Sequence, residues 1–292
     1  MNARAVPRAL QFFKICNCYH LSLLQRVPGR QFARNLVDRR ELLIGLVKRD
    51  FELRYKGSVA GWIWGVVHPI VLLVSYTFVF SVCLKQTPGP GEVTQNFPLF
   101  LFAGMLPWLL FSETLQRSAT SLIDQSTLIT KTVFPSEMVP IAIFLSSLVS
   151  HLIAVILALA GALIVMHRLS PAIAAFPLIV ALLGLFAVGL AWIIASLQVY
   201  LRDTAQILMV VLTLWFWVTP IFLSEQKFPR RMRFLLAVNP LTSVVRAYRQ
   251  MLLGGTLPQA SEFESAAIWG IAIFILGGLF FRYMKRGFAD VL

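Results

Sequence analysis

Residues 38 to 69 set a charged, amphipathic stretch directly against an unbroken apolar one, with no linker between them. The apolar part opens Gly61-Trp62-Ile63-Trp64, and several comparable runs follow it. A soluble domain can bury one such run in its core, whereas a chain made largely of them is organised around a bilayer. Composition agrees. Hydrophobic residues are 58% and charged residues 13% of the chain, against roughly 45–50% and about 25% in soluble domains. The expected class is an all-α membrane protein.

The apolar runs fall at Val59 to Leu84, Phe97 to Leu115, Met138 to Met166, Ile173 to Val199, Ala205 to Leu223 and Ala266 to Tyr283. Each can cross about 30 Å of hydrocarbon at about 1.5 Å per residue. Six transmembrane helices put both termini on one side. Around them lie an N-terminal extension at 1–37, an amphipathic helix at 38–56, a loop at 117–137 and a long loop at 224–265. The first 60 or so residues hold no long apolar run, so neither a cleaved signal peptide nor a further span is expected there.

Sidedness follows from Lys and Arg. Residues 1–56 are strongly basic, and Arg117, Lys131, Arg202, Arg282, Lys285 and Arg286 fall on the same side. That side is cytoplasmic by the positive-inside rule. The opposite short loops hold only Lys85 and Arg168, although the loop at 224–265 adds Lys227, Arg230, Arg231, Arg233, Arg246 and Arg249. Short loops weigh most, so both termini are expected in the cytoplasm of an inner-membrane, multi-pass protein.

Chemistry-bearing residues are few. Cys16, Cys18 and Cys83 make no disulfide framework, and Cys16, Cys18 and His20 lack the paired spacing of a zinc site. No metal is expected. His68, beside Pro69, and Glu113 and His151 lie in spans, where hydrogen bonding to a neighbouring helix is the plainer reading than substrate contact. No paired carboxylate or Ser/Cys/His arrangement suggests catalysis. Gly184 and Gly189 suit close helix packing. Leu42, Leu43, Leu46, Val47 and Phe51 recur at helical spacing among Arg39, Arg40, Lys48, Arg49, Glu52 and Lys56, with Asp38 and Glu41 placed as a cap. Such a helix either anchors to anionic lipid at the interface or docks a soluble partner.

Four local patterns, in order, carry a resemblance. They are Arg54-Tyr55-Lys56-Gly57-Ser58 with Gly61, Trp64 and Pro69; Phe102-Ala103-Gly104-Met105-Leu106-Pro107-Trp108; Leu128-Ile129-Thr130-Lys131 followed by Phe134-Pro135-Ser136-Glu137; and Tyr200-Leu201-Arg202-Asp203 joined to Thr219-Pro220-Ile221 and Asn239-Pro240-Leu241-Thr242. From about residue 40 onward the chain resembles the membrane subunits of ABC-2 type polysaccharide exporters, which move O-antigen, capsule and teichoic acid chains. The resemblance implies two copies of a six-span subunit forming a channel above two separate ATPase subunits. No Gly-x-x-x-x-Gly-Lys-Ser/Thr occurs in this sequence, so ATP and Mg are expected in the partner chain and no cofactor in this one.

By the same resemblance, Arg39 to Tyr55 corresponds to an interface helix and Ser121 to Phe134 to a coupling helix. Arg49, Arg54, Tyr55, Lys56, Leu128, Lys131, Phe134, Glu137, Arg202 and Asp203 are the residues expected to couple to the ATPase. Sugar rings stack on aromatic planes, so Trp62, Trp64, Tyr76, Phe80, Phe100, Trp108, Trp215 and Trp217 are candidates for the channel; lipid-facing and interfacial placement is the alternative. Pro229 to Val238 and Pro240 to Leu253 read as two short helices of an external gate, the second capped by Asn239 and ending at Gly254-Gly255. Both are expected to dip toward the membrane. Arg246 and Arg249 there are candidates for holding lipid phosphate or guiding the polymer.

The function expected is an ATP-driven export permease for polysaccharide or its lipid-linked form. The chain would be homodimeric, in contact with membrane lipids, with no nucleic-acid partner. An ABC-2 exporter of a small amphiphile or drug, or a membrane enzyme acting on lipid-linked sugars, are the alternatives.

Overall fold

A computed structural model describes residues 39–55, 61–89, 91–131, 134–167 and 171–291. The extension at 1–37, with Cys16, Cys18 and His20, lies outside these residues, as do Asp38 and Arg168. The described chain is helical. Helix α1 (Arg40–Tyr55) precedes a single 3₁₀ turn and α2 (Trp64–Thr77), which runs on as a π-helical segment at Phe78–Cys83. Then come α3 (Phe97–Asp124), α4 (Ser126–Lys131), α5 (Met138–Met166), α6 (Phe176–Tyr200) and α7 (Thr204–Val218). The short α8 (Arg233–Val238) and α9 (Pro240–Arg249) lead to α10 (Ala260–Met284) and the terminal α11 (Phe288–Val291).

Among the described residues, five helical segments are long and apolar enough to cross a membrane: Trp64–Cys83, Phe97–Asp124, Met138–Met166, Pro171–Tyr200 and Ala260–Gly287. The fifth apolar run differs from expectation. Its helix ends at Val218 after 15 residues, because Pro220 pushes the preceding residue out of the helical region and Thr219 is extended at φ −80°, ψ 134°. The second run differs in the other direction. Helix α3 continues nine residues past Leu115, since no Gly or Pro interrupts it there and the charged Glu113 and Arg117 find partners on other helices. The coupling segment expected as one helix at Ser121 to Phe134 is accordingly split, with its first residues ending α3, a turn at Gln125, and α4 after it.

Helix α3 is the centre of the bundle. Phe97, Phe100, Leu101, Met105, Leu106, Leu110, Phe111, Leu115 and Leu122 are buried on it, and α5, α6, α7, α9 and α2 surround it. Asn96 starts the helix by accepting the Leu99 N–H at 3.1 Å, with Pro98 in the first turn. Helices α6 and α10 approach until backbone meets backbone. A Cβ on Gly277 would stand 2.1 Å from the Gly189 carbonyl oxygen, and one on Gly189 would stand 2.5 Å from that of Ile273. Gly184 similarly makes room for the Phe144 ring, 2.6 Å from where its Cβ would be. Both glycines expected to permit close packing do so.

In contrast, α2 and α7 leave broad apolar faces uncovered. Ile70, Val71, Val74, Phe78 and Val82 are exposed on the first, and Ile207, Val210, Leu214 and Trp217 on the second.

Candidate functional site

Helix α1 lies along α5. Leu46 is buried against Met138 and Ala142, flanked by Leu43, Val47 and Phe134. Part of the apolar row expected to face lipid therefore packs on protein, while Leu42, Ile44 and Leu53 are exposed. The polar side of the same helix is tied to the bundle by charge. Arg54 pairs with Glu113 of α3 at 2.5 Å and donates to Ser150 of α5 at 2.9 Å. Asp50 pairs with Arg117 of α3 at 2.6 Å, and Arg117 also reaches Ser147 at 3.2 Å and Glu113 at 3.6 Å. Ser147 completes the knot by donating to Glu113 at 2.9 Å. Two cations and two carboxylates balance. Charge-assisted hydrogen bonds of this kind, about three-quarters shielded from solvent, hold α1 to α3 and α5 more firmly than surface pairs do.

Glu113 bonds to neighbouring helices, as its place in a span leads one to expect, whereas Asp50 and Arg117 are not among the sequence candidates. Their spacing was nevertheless readable. Asp50 and Arg54 stand four residues apart on α1, as do Glu113 and Arg117 on α3, which sets two complementary pairs on facing helix sides.

The other coupling candidates are dispersed along the same end. Arg49 donates to Gln125 in the turn after α3 at 3.0 Å. Glu137 pairs with Lys285 at 2.5 Å, and its carbonyl accepts the Trp192 indole N–H at 2.9 Å, so it joins the start of α5 to α6 and to the end of α10. Phe134 packs beside Leu46 and Met138. Arg202 and Asp203 are exposed in the turn between α6 and α7. Lys56 lies outside the described residues, as do the side chains of Tyr55, Trp62, Leu128 and Lys131.

Between α2, α3 and α5 a cavity of about 550 Å³ adjoins the charged knot. Its wall includes Trp64, His68, Glu113, Gln116, Ser150 and His151. Around the edge of α2 a second hollow of about 220 Å³, lined by Tyr76, Trp108, Met209 and Phe216 among others, shares Leu109, Ser112 and Gln116 with the first. His151 faces the bundle and stands 3.1 Å from the Tyr248 hydroxyl, in keeping with a structural hydrogen bond. Burial raises the Tyr248 pKa, so this phenol is neutral.

The aromatic candidates separate into three groups. Trp64 and Trp217 are exposed at 54% and 59%. Tyr76 and Phe80 are half-buried, both against Phe222, at ring-centre distances of 5.1 and 4.6 Å. Phe100 and Trp108 are buried, Trp108 bordering the second hollow with one edge. Trp108 sits between Phe111 and Phe216, and Trp215 is half-buried with its indole N–H donated to Asn239 at 2.9 Å. Phe100 thus lines no channel within this subunit, because α9 covers it.

That cover corrects the reading of Arg249 in the long loop. Helix α9 starts as expected: Asn239 accepts the Leu241 N–H at 3.1 Å, and its amide donates to Thr219 at 3.0 Å. It continues as a π turn at Gln250–Gly254 and stops at Gly255, φ 73°. The helix packs against two of the spans. Pro240 to Val245 and Ala247 to Arg249 are buried against α3 and α10. Arg249 donates to the carbonyl oxygens of Phe100 at 3.2 Å and Ile221 at 2.7 Å, with its guanidinium 3.6 Å from the Phe100 ring centre. Burial lowers its pKa to about 10. Every polar contact it makes is internal, so it is a clamp and not a surface phosphate holder. Arg246 pairs with Glu225, whose hydrogen bond raises the arginine's pKa. Only Arg230, Arg231 and Arg233 of this loop present exposed arginines, and Arg233 donates to the Gln226 and Phe228 carbonyls.

Residues 41–253 match the family described as ABC-2 type transporter. The chain is 29% identical over 262 residues to the O-antigen export system permease protein RfbA of Myxococcus xanthus, covering 89% of this chain and 98% of that protein. It is 28% identical to the protein of the same name from Klebsiella pneumoniae, covering 86% and 95%. The polysialic acid transport protein KpsM of Escherichia coli is 19% identical, over 81% of this chain and 91% of that protein.

Proposed function

Because the chain belongs to the ABC-2 type transporter family, we propose that it is the membrane subunit of an ATP-driven exporter of polysaccharide or lipid-linked polysaccharide. The substrate class rests on the relatives, whose names specify O-antigen and polysialic acid. The coupling role rests on one observation: α1 is joined to two spans through Arg54, Glu113, Asp50 and Arg117. A helix so tied cannot be displaced without carrying α3 and α5 or breaking the knot.

In this reading a separate ATPase binds ATP and Mg, grips α1 and α4, and moves them as its nucleotide is bound and hydrolysed. Helix α7 together with 219–223 completes a sixth crossing, and the α1 end faces the cytoplasm of the inner membrane, with both termini there. Two copies assemble through the uncovered apolar faces of α2 and α7, the apolar helices with the fewest buried residues. Loss of the gene should abolish surface polysaccharide, and restoration should require both this chain and its ATPase. Undiminished surface polysaccharide in the deletion strain refutes the proposal.

A further inference from the structure

The cavity between α2, α3 and α5 has a wall whose charges are already matched. Arg54 is held by Glu113, and Arg117 beyond it by Asp50, leaving no unmatched cation to attract a phosphate. Two polar side chains in the wall are different. His68 on α2 and Gln116 on α3 are exposed and make no hydrogen bond or ion pair among the described residues. Trp64, four residues before His68 and so on the same side of α2, is 54% exposed in the same wall.

These three groups share one chemistry. An indole plane offers an apolar surface for the C–H face of a pyranose. An amide and an imidazole each offer a donor and an acceptor, which matches the ring of hydroxyls at the sugar's edge. A lipid tail would gain nothing from His68 or Gln116, since uncompensated polar groups are costly against hydrocarbon. The cavity's volume, about 550 Å³, lies within the range of small-ligand sites. We propose that Trp64, His68 and Gln116 form a subsite for an uncharged sugar residue of the polymer. This rests on the export reading given above. With one stacking plane and two hydrogen-bonding groups, the subsite holds a sugar weakly, as suits a chain that must move on.

The test uses the full transporter in cells that carry its ATPase, with Gln116 replaced by the photo-reactive p-benzoylphenylalanine. Irradiation should shift the subunit into a high-mass smear that stains for polysaccharide, while the same replacement at Ile156, exposed on α5, should not. A discrete band at twice the subunit mass, or capture of lipid alone, overturns the subsite. A second measurement does not depend on that replacement. At equal membrane levels Trp64→Ala should slow appearance of surface polysaccharide by roughly three- to tenfold, and Trp64→Phe, which keeps a stacking plane, by less than about twofold. Equal rates for the two variants also overturn it. Either failure with wild-type export intact leaves the export reading standing; persistence of surface polysaccharide without the gene removes the export reading itself.

Discussion

The guanidinium of Arg249 lies 3.6 Å from the centre of the Phe100 ring and donates at 3.2 Å to that residue's own carbonyl. The same side chain reaches the Ile221 carbonyl at 2.7 Å, just beyond the end of α7. It thereby fixes the first turns of α3 to the chain that leaves α7. Lysine cannot reproduce this, because one ammonium lacks the planar fork that serves two carbonyls and stacks on a ring. Arg249→Lys is expected to lower the stability of the detergent-solubilised protein by about 2–4 kcal/mol, with Arg249→Ala at least as damaging. Thermal unfolding followed by intrinsic fluorescence checks this; a lysine variant as stable as the wild type would show that the clamp is idle.

Gly104 is part of the same contact, since a Cβ there would stand 2.6 Å from a terminal nitrogen of Arg249. Gly104→Ala should displace the guanidinium and cost about 1–3 kcal/mol. In Arg249→Ala the space is free, so the added methyl should then be nearly neutral. Additive losses in the double variant would contradict the shared contact.

The packing of α6 on α10 makes a sharper contrast. Gly277→Ala sets a methyl against the Gly189 carbonyl, where 2.1 Å is available, whereas Gly278→Ala meets the Trp192 ring at an ordinary 3.5 Å. The first should reduce folded yield severely and the second little. Size-exclusion profiles of the two neighbouring variants decide the matter in one experiment.

Charge in the knot should be exchangeable, because its value lies in complementarity. Asp50→Arg alone places three cations together and should uncouple transport from ATP hydrolysis in reconstituted complexes. Combining it with Arg117→Asp restores one pair, although Glu113 then faces a carboxylate in place of Arg117. Partial recovery of polysaccharide export is the expected outcome, and none at all would mean that the pairing does not transmit motion.

Arg49 sits at the exposed rim, where its guanidinium donates to Gln125. Arg49→Glu, and likewise Lys131→Glu, should weaken co-purification of the ATPase while leaving the subunit in the membrane at normal levels. Undiminished co-purification would remove these residues from the docking surface.

What could be read from the sequence divides along physical lines. Met138 to Met166 was legible to the residue, because no Asp, Glu, Lys or Arg interrupts it and His167 ends it in the left-handed region at φ 54°. Asn239 and Pro240 declared the start of α9 through local capping chemistry alone. The end of α7 was missed because an apolar count runs through Thr219-Pro220, although the proline's effect on its predecessor was available. Arg249 was misplaced for a different reason. Charge counting treats every loop arginine as a surface cation, and only the tertiary approach of α9 to Phe100 and Ile221 shows one serving carbonyls inside the bundle. Arg246 was similarly opaque until Glu225 stood opposite it.

The glycine contact between α6 and α10 also says where this subunit can change shape. Backbones in direct contact have no side-chain layer to slide on, so those two helices form a stator. Beside the helices tied by the charged knot, freedom of movement is greatest in α2 and α7, the apolar helices with the fewest buried residues. On the proposed export reading, the membrane around them, or a second subunit against them, is part of the bearing on which the working parts turn.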